Sequence, residues 1–233
     1  LPSTVATIGA KCFESCSSLT EIELPTSLTT VSAECFKSCS SLSKVTIPES
    51  VKTIEKDCFK ECSSLSEIVV PSAVTKIEDG CFFQCSSLNK VTLPASLTTI
   101  GKESFRRCSS LKEIEVPQSV NLIDAGAFRE CSSLEKFDLP PSVTKITENC
   151  FGECSALAKV TIPSSVTSIQ KEAFRRCTSL KDLSVPSSVI VIGISAFADC
   201  TALEQIYLLA NNITFGPAGL KGCTALREII NPV

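Results

Sequence analysis

Apolar and polar positions alternate along this chain in short bursts that recur at a fixed step. Between residues 19 and 24, Leu19, Ile22 and Leu24 are apolar while Glu21 and Glu23 are charged. That is the period-two signature of a short strand buried on one face. Pro25 follows and, lacking an N–H, stops the ladder. Leu28 and Val31 form a second apolar pair on the next side of a coil. Cys35, Phe36 and Cys39 then fall at near-helical spacing, which predicts one helical or 3-10 turn across residues 33–39. The pattern begins again 23 residues later.

The step never slips. Proline recurs at Pro2, Pro25, Pro48, Pro71, Pro94, Pro117, Pro140, Pro163 and Pro186, with Leu209 in the next slot and Pro232 back in register. Cysteine keeps the same step from Cys16 to Cys223, and phenylalanine from Phe13 to Phe197, with Leu220 last. A repeat without insertion or deletion predicts a solenoid in which each turn stacks on its neighbours. No turn can bury its apolar side chains alone. Stacking buries them, at about 1.5–3 kcal/mol for each large side chain fully covered.

The spacing L-x-x-L-x-L-x-x-N-x-L marks a leucine-rich repeat, and the ninth unit matches it with Leu203, Ile206, Leu208, Asn211 and Ile213. Other units place Ser in the Asn slot (Ser27, Ser50, Ser96, Ser119, Ser142, Ser165, Ser188), and Ala73 interrupts the row. These small polar groups can satisfy backbone groups at the strand exit. The unit, with Pro after the strand, S-V/L-T-x-I, and A-F-x-x-C-S-S-L, resembles the BspA-like (treponemal-type) leucine-rich repeats over all ten turns. The expected fold is therefore an α/β solenoid of ten 23-residue turns in one domain, residues 1–233. A parallel sheet would line its concave face, with short helical or 3-10 turns on the convex side. The resemblance implies a surface-exposed or secreted protein of bacteria or of parasitic or anaerobic protists, and some such proteins are adhesins. Cys often replaces the first small residue of A-F-x-x-C, a variation more like the protist members.

On the concave face, ten strands about 4.8 Å apart would make a strip on the order of 50 Å long. Its central outward column starts Glu21, Lys44, Glu67, Lys90, Glu113 and Lys136, alternating in sign, and continues with Lys159. Opposite charges on neighbouring strands attract, each exposed pair contributing a few tenths to about 1 kcal/mol. The column reads either as a register-keeping surface or as a charge-coded binding face. In the next column Glu115 and Asp138 are like charges on adjacent strands, with Glu113 on the same face. Such a conflict often marks a site, and it is relieved by Lys112 and Lys136, by a partner's Lys or Arg, or by a cation. Tyr207, the one tyrosine, projects beside Ile230 and shares its column with the distant Val69; it is a candidate hot spot or an end contact.

Composition narrows the chemistry. The 233 residues include no His, Met or Trp. Without His there is no imidazole-dependent triad, Cys-His dyad or His-ligated metal. A net charge of −3 argues against a nucleic-acid binder, and the basic run Arg106–Arg107, Arg129 and Arg175–Arg176 is broken by Glu61, Glu153 and Asp199 in equivalent slots. No apolar run reaches the ~20 residues of a membrane span. The 15 cysteines form the unbroken column plus Cys12, Cys35, Cys58, Cys81 and Cys150 four residues earlier. That earlier slot also accepts Ser104, Ala127, Ala173, Ala196 and Gly219, as a small buried group would. Reduced structural thiols are the favoured reading; disulfides and Cys-only zinc sites are the alternatives. Asn212-Ile213-Thr214 is a lone glycosylation sequon.

The chain starts and stops in the same phase of the repeat without a polar cap at either end, as a segment of a longer chain would. The expected function is a non-enzymatic protein-interaction or adhesion module that binds a protein or other surface macromolecule on the strand face. The alternative is a structural rod assembled by end-to-end stacking. No cofactor is expected. The resemblance implies the cell surface or secretion; reduced cysteines favour the cytoplasm.

Overall fold

A computed structural model describes residues 1–231; Pro232 and Val233, where the proline column resumes and the chain stops in phase, lie outside the described residues. The turns are built from a column of long strands and a column of short ones. The long strands are β1 (Glu21–Glu23), β3 (Lys44–Thr46), β5 (Glu67–Val69), β7 (Lys90–Thr92), β10 (Lys136–Asp138), β12 (Lys159–Thr161), β14 (Asp182–Val185), β16 (Gln205–Leu208) and β18 (Glu228–Ile230). The short ones are β2 (Thr30–Val31), β4 (Thr53–Ile54), β6 (Lys76–Ile77), β8 (Thr99–Ile100), β9 (Leu122–Ile123), β11 (Lys145–Ile146), β13 (Ser168–Ile169), β15 (Val191–Ile192) and β17 (Thr214–Phe215). Every pairing is parallel and offset by one repeat, as in Glu21↔Lys44 and Val31↔Ile54.

The result is a parallel-strand solenoid of about nine turns. Ten turns were expected, and the long strand expected at Glu113–Glu115 does not form.

The convex side also differs from expectation: among the described residues there is no helix. The reason is a pair of left-handed residues in each turn, two before and two after the column phenylalanine. Glu34 (φ 54°) and Ser38 (φ 60°) flank Phe36, for example, and 17 non-glycine residues adopt such angles, Gly80, Gly126 and Gly222 filling three further slots. A single left-handed residue cannot continue a right-handed helix and costs about 1–2 kcal/mol without glycine. Hydrogen bonds across the stack offset that cost. Cys35, Lys37 and Cys39 donate three residues back within their own turn. The alternate residues Glu34, Phe36 and Ser38 donate to Lys56, Cys58 and Lys60 of the next turn at 3.0, 2.9 and 2.7 Å. The spacing that imitates a helix is a third inter-turn ladder.

Between these ladders lies the core. The column rings from Phe13 to Phe197 stack with centroids 5.2–5.9 Å apart. Phe137, in the strand position held elsewhere by Val, Ile or Leu, wedges against Phe128 and Phe151 at 4.9 and 4.7 Å.

Hydroxyl and thiol side chains tie the turns further. In the Asn slot, Ser27, Ser50, Ser96, Ser119, Ser165 and Ser188 donate to a carbonyl 22 residues earlier at 2.6–2.8 Å, the strand-exit role expected of them. The first Ser after the cysteine makes its own ladder, as in Ser86 Oγ to the Ser63 carbonyl at 3.4 Å.

The cysteine column is a ladder as well. From Cys39 to Cys223, each Sγ donates to the column phenylalanine carbonyl 26 residues earlier, at 3.0–3.2 Å. All 15 thiols are free, 12 of them buried, while Cys12 and Cys16 in the first turn are exposed. Burial pushes the thiols up, Cys39 to about 11 and Cys35, Cys150 and Cys200 to about 12. Neutral, hydrogen-bonded and packed, they are building material.

Candidate functional site

The long strands form an ordered face, and the pleat decides what it shows. In Lys44–Thr46, Val45 points into the core while Lys44 and Thr46 point out. The first residues of successive strands therefore line up: Glu21 beside Lys44, Glu67 beside Lys90, and Lys136 beside Lys159.

The expected sign alternation is thus present in space, but only part of it becomes ion pairing. Lys90 reaches Glu67 at 3.9 Å and Lys136 reaches Glu113 at 3.0 Å. The hydrogen bond and charge of Glu113 raise the Lys136 ammonium above its ordinary value, although the group is fully exposed. Among the described residues Glu21, Lys44 and Lys159 make no ion pair, and Lys159 stands next to a like charge. These three residues offer their charge to solvent.

Tyr207 lies between Ser184 and Ile230 on the face, its hydroxyl donating to Gln205 Oε1 at 2.9 Å. Val69, 57% exposed, is on β5 beside Thr92. The structure brings Tyr207 and Ile230 together and leaves Val69 apart.

The like charges Glu113, Glu115 and Asp138 meet at the rung where no strand forms. β7 pairs only with β5, and β10 only with β12, so the sheet is open on both sides of the fifth turn. Like charges directly opposed destabilise a strand pair, and Glu115 would face Asp138. The Lys136 ammonium is engaged by Glu113, and Glu115 and Asp138 make no ion pair among the described residues. Lys112 is in no ion pair among the described residues. A groove of about 750 Å³ opens here between turns four and six. Charge repulsion is not the sole influence on pairing, since the ladder also lapses between β3 and β5 and between β12 and β14, where both strands persist.

On the opposite edge the arginines are spoken for. Arg106 and Arg107 both bind Glu130, at 2.8 and 2.5 Å, Arg129 binds Glu153 at 2.9 Å, and Arg175 and Arg176 lie near Glu172 and Asp199 at 3.6 and 3.8 Å. Burial works against the Glu130 carboxylate, but hydrogen bonds from Arg107 and Arg106 outweigh it and hold the group below its usual range.

Two features escaped the reading of the sequence. One is the groove at turn five, whose only signal was the acidic conflict at Glu115 and Asp138. The other is an apolar cluster on the short-strand side, Ile190, Val191 and Ile194, exposed by 51%, 43% and 48%. Its signal was present in the columns, because the previous turn has Thr167, Ser168 and Lys171 in the same slots. Among the described residues no group of three or more His, Cys, Asp or Glu is placed to hold a metal ion. No helix is long and apolar enough to cross a membrane.

Parallel strands in a one-repeat register, a leucine-lined core and an asparagine or serine row at the strand exit define a leucine-rich repeat solenoid. The chain belongs to the BspA type leucine-rich repeat family, which matches residues 1–112 and 98–227. No curated protein matches it. Among solved structures it is similar to a leucine-rich repeat protein from Bacteroides ovatus at 26% identity and a TM-score of 0.47, covering 95% of this chain and 81% of that one. It is also similar to a leucine rich cell surface protein from Faecalibacterium prausnitzii at 24% identity and 0.47, covering 97% and 83%. A leucine-rich repeat protein from T. pallidum matches at 24% identity and 0.52, covering 87% and 76%, and shares the fold.

Proposed function

We propose that the chain is a non-enzymatic interaction module that binds a protein on its long-strand face, at the cell surface or in the surrounding medium. The observation that carries this reading is the set of unpaired charges held in register on an ordered face, with Lys44 and Lys159 unneutralised. A surface evolved only to keep register would pair them. Adhesion is the specific form of binding favoured by family membership.

The test is capture of surface-labelled proteins from intact cells by the immobilised chain, with captured proteins identified and re-bound in purified form. Reversing Lys44 and Lys159 to Glu is expected to weaken the purified pair by roughly tenfold or more and to alter its salt dependence. Unchanged binding would remove the strand face from consideration.

A second reading, a rod built by end-to-end stacking, rests on the constant one-repeat register of every ladder, which lets turn follow turn without adjustment. Particle mass that rises with concentration would favour it.

A further inference from the structure

At turn five the solenoid leaves its own backbone unsatisfied. Among the described residues the N–H and C=O groups of Glu113, Ile114, Glu115 and Val116 make no hydrogen bond, whereas the same positions in neighbouring turns are tied into ladders. The facing edges of β7 and β10 are unpaired too.

The same opening uncovers core. Ile114 is half-buried, while its equivalents Ile68, Phe137, Leu183 and Ile206 are sealed, and Val91, Leu93 and Val116 beside it are also only partly covered. These four apolar side chains line the groove together with Glu115 and Asp138, and with Lys90 and Lys136, whose ammonium groups are paired to Glu67 and Glu113. Unpaired strand edges, an apolar floor and two carboxylates outside any ion pair coincide at this turn among the described residues.

We propose that the gap at turn five is a docking groove for an extended, basic peptide segment of a partner protein. Its backbone pairs with the free groups of residues 113–116, as in recognition by strand addition. Alternate apolar side chains rest on Val91, Leu93, Ile114 and Val116, and the intervening Lys or Arg reach Glu115 and Asp138. The charges select the occupant: an acidic segment would add to the repulsion already present, and a neutral one would leave it. The proposal rests on the strand-face reading and names where on that face, and to what chemistry, binding occurs.

The probe is a blocked octapeptide alternating Lys and Val, with a fluorophore at one end. Three companions serve as comparisons: an alternating Glu and Val peptide, a Lys–Val peptide N-methylated at every second residue, and the whole chain carrying Glu115→Gln and Asp138→Asn. Fluorescence anisotropy is expected to show binding of the Lys–Val peptide, and at least tenfold weaker binding in each of the three comparisons. Hydrogen exchange on the free protein is expected to find the amides of Ile114, Glu115 and Val116 unprotected, and slowed at least tenfold by the peptide.

Amides already protected in the free protein would overturn the proposal, since the gap would be closed. Equal affinity for the N-methylated peptide would remove strand pairing, and equal affinity of the E115Q/D138N chain would remove the carboxylates; either overturns it. These failures are distinct from failure of the strand-face reading, which is decided by the Lys44 and Lys159 reversals, both outside the groove, against a whole partner.

Discussion

Ser104 shows how closely each slot in a turn is specified. It occupies the position four before the cysteine, fully buried, and its hydroxyl has no hydrogen-bond partner among the described residues. The neighbouring turns place Cys81 and Ala127 there. A buried hydroxyl without a partner costs about 1–3 kcal/mol in lost hydration, so Ser104→Ala should raise stability by about 1 kcal/mol in equilibrium denaturation. A loss of stability would mean that the hydroxyl has a partner after all. That this slot wants a small buried group was readable from its Cys, Ala and Gly occupants. The role of the later cysteine was not, because its acceptor is a carbonyl 26 residues upstream, a relation set by how the turns lean on one another. Free thiols as small packing groups were expected; thiols as donors in a ladder were found.

Elements divide by how much of their pattern is side-chain burial. The long strands alternate apolar and polar residues and mostly end at proline, so the pattern of Leu19–Pro25 locates the other eight. Glu113–Glu115 has the same alternation and no strand, since alternation says nothing about the charges across the rung. The convex turns were misread for a different reason: left-handed angles at Glu34, Asp57 or Arg107 leave no mark in residue type. Some charged residues in those slots pair with each other across turns, as Lys11 with Glu34 and Arg107 with Glu130, while Asp57 pairs with Lys60 of its own turn. Glu130, itself left-handed, receives Arg106 and Arg107, and its carboxyl is held below the ordinary value of 4.5. Below pH 4.5 the unfolded carboxyl takes up a proton before the folded one does, so stability must fall with falling pH until the folded group titrates as well. Glu130→Gln, which puts in the residue already found left-handed at Gln84, should flatten this acid-side loss in pH-dependent denaturation. An unchanged acid slope would mean that the arginines do not hold that carboxylate in solution.

The whole molecule carries the same linkage with opposite sign at alkaline pH. Burial raises the thiols, so the folded chain keeps protons that the unfolded chain releases above the ordinary thiol value of 9.0. Stability therefore falls as pH rises past about 9, each buried thiol contributing about 1.4 kcal/mol per pH unit until its folded value is reached. With 12 buried thiols the chain should unfold cooperatively within about a unit or two above pH 9 under reducing conditions. Cys150→Ala, matching Ala127 and Ala173 in its column, should reduce the slope by one thiol's share. A chain still folded at pH 11 would show that the thiols are not held as buried acids.

Every ladder in the molecule advances by the same 23 residues, and each turn presents to the next what it received from the one before. Striking out one whole block would bring turn n against turn n+2 with each ring, thiol and hydroxyl facing its accustomed counterpart. Length is thereby separated from fold: the chain is a ruler to which graduations can be added or removed without redrawing the others. On such an instrument position can be told only from the irregular marks, and the blank at the fifth graduation is the one that a partner could find.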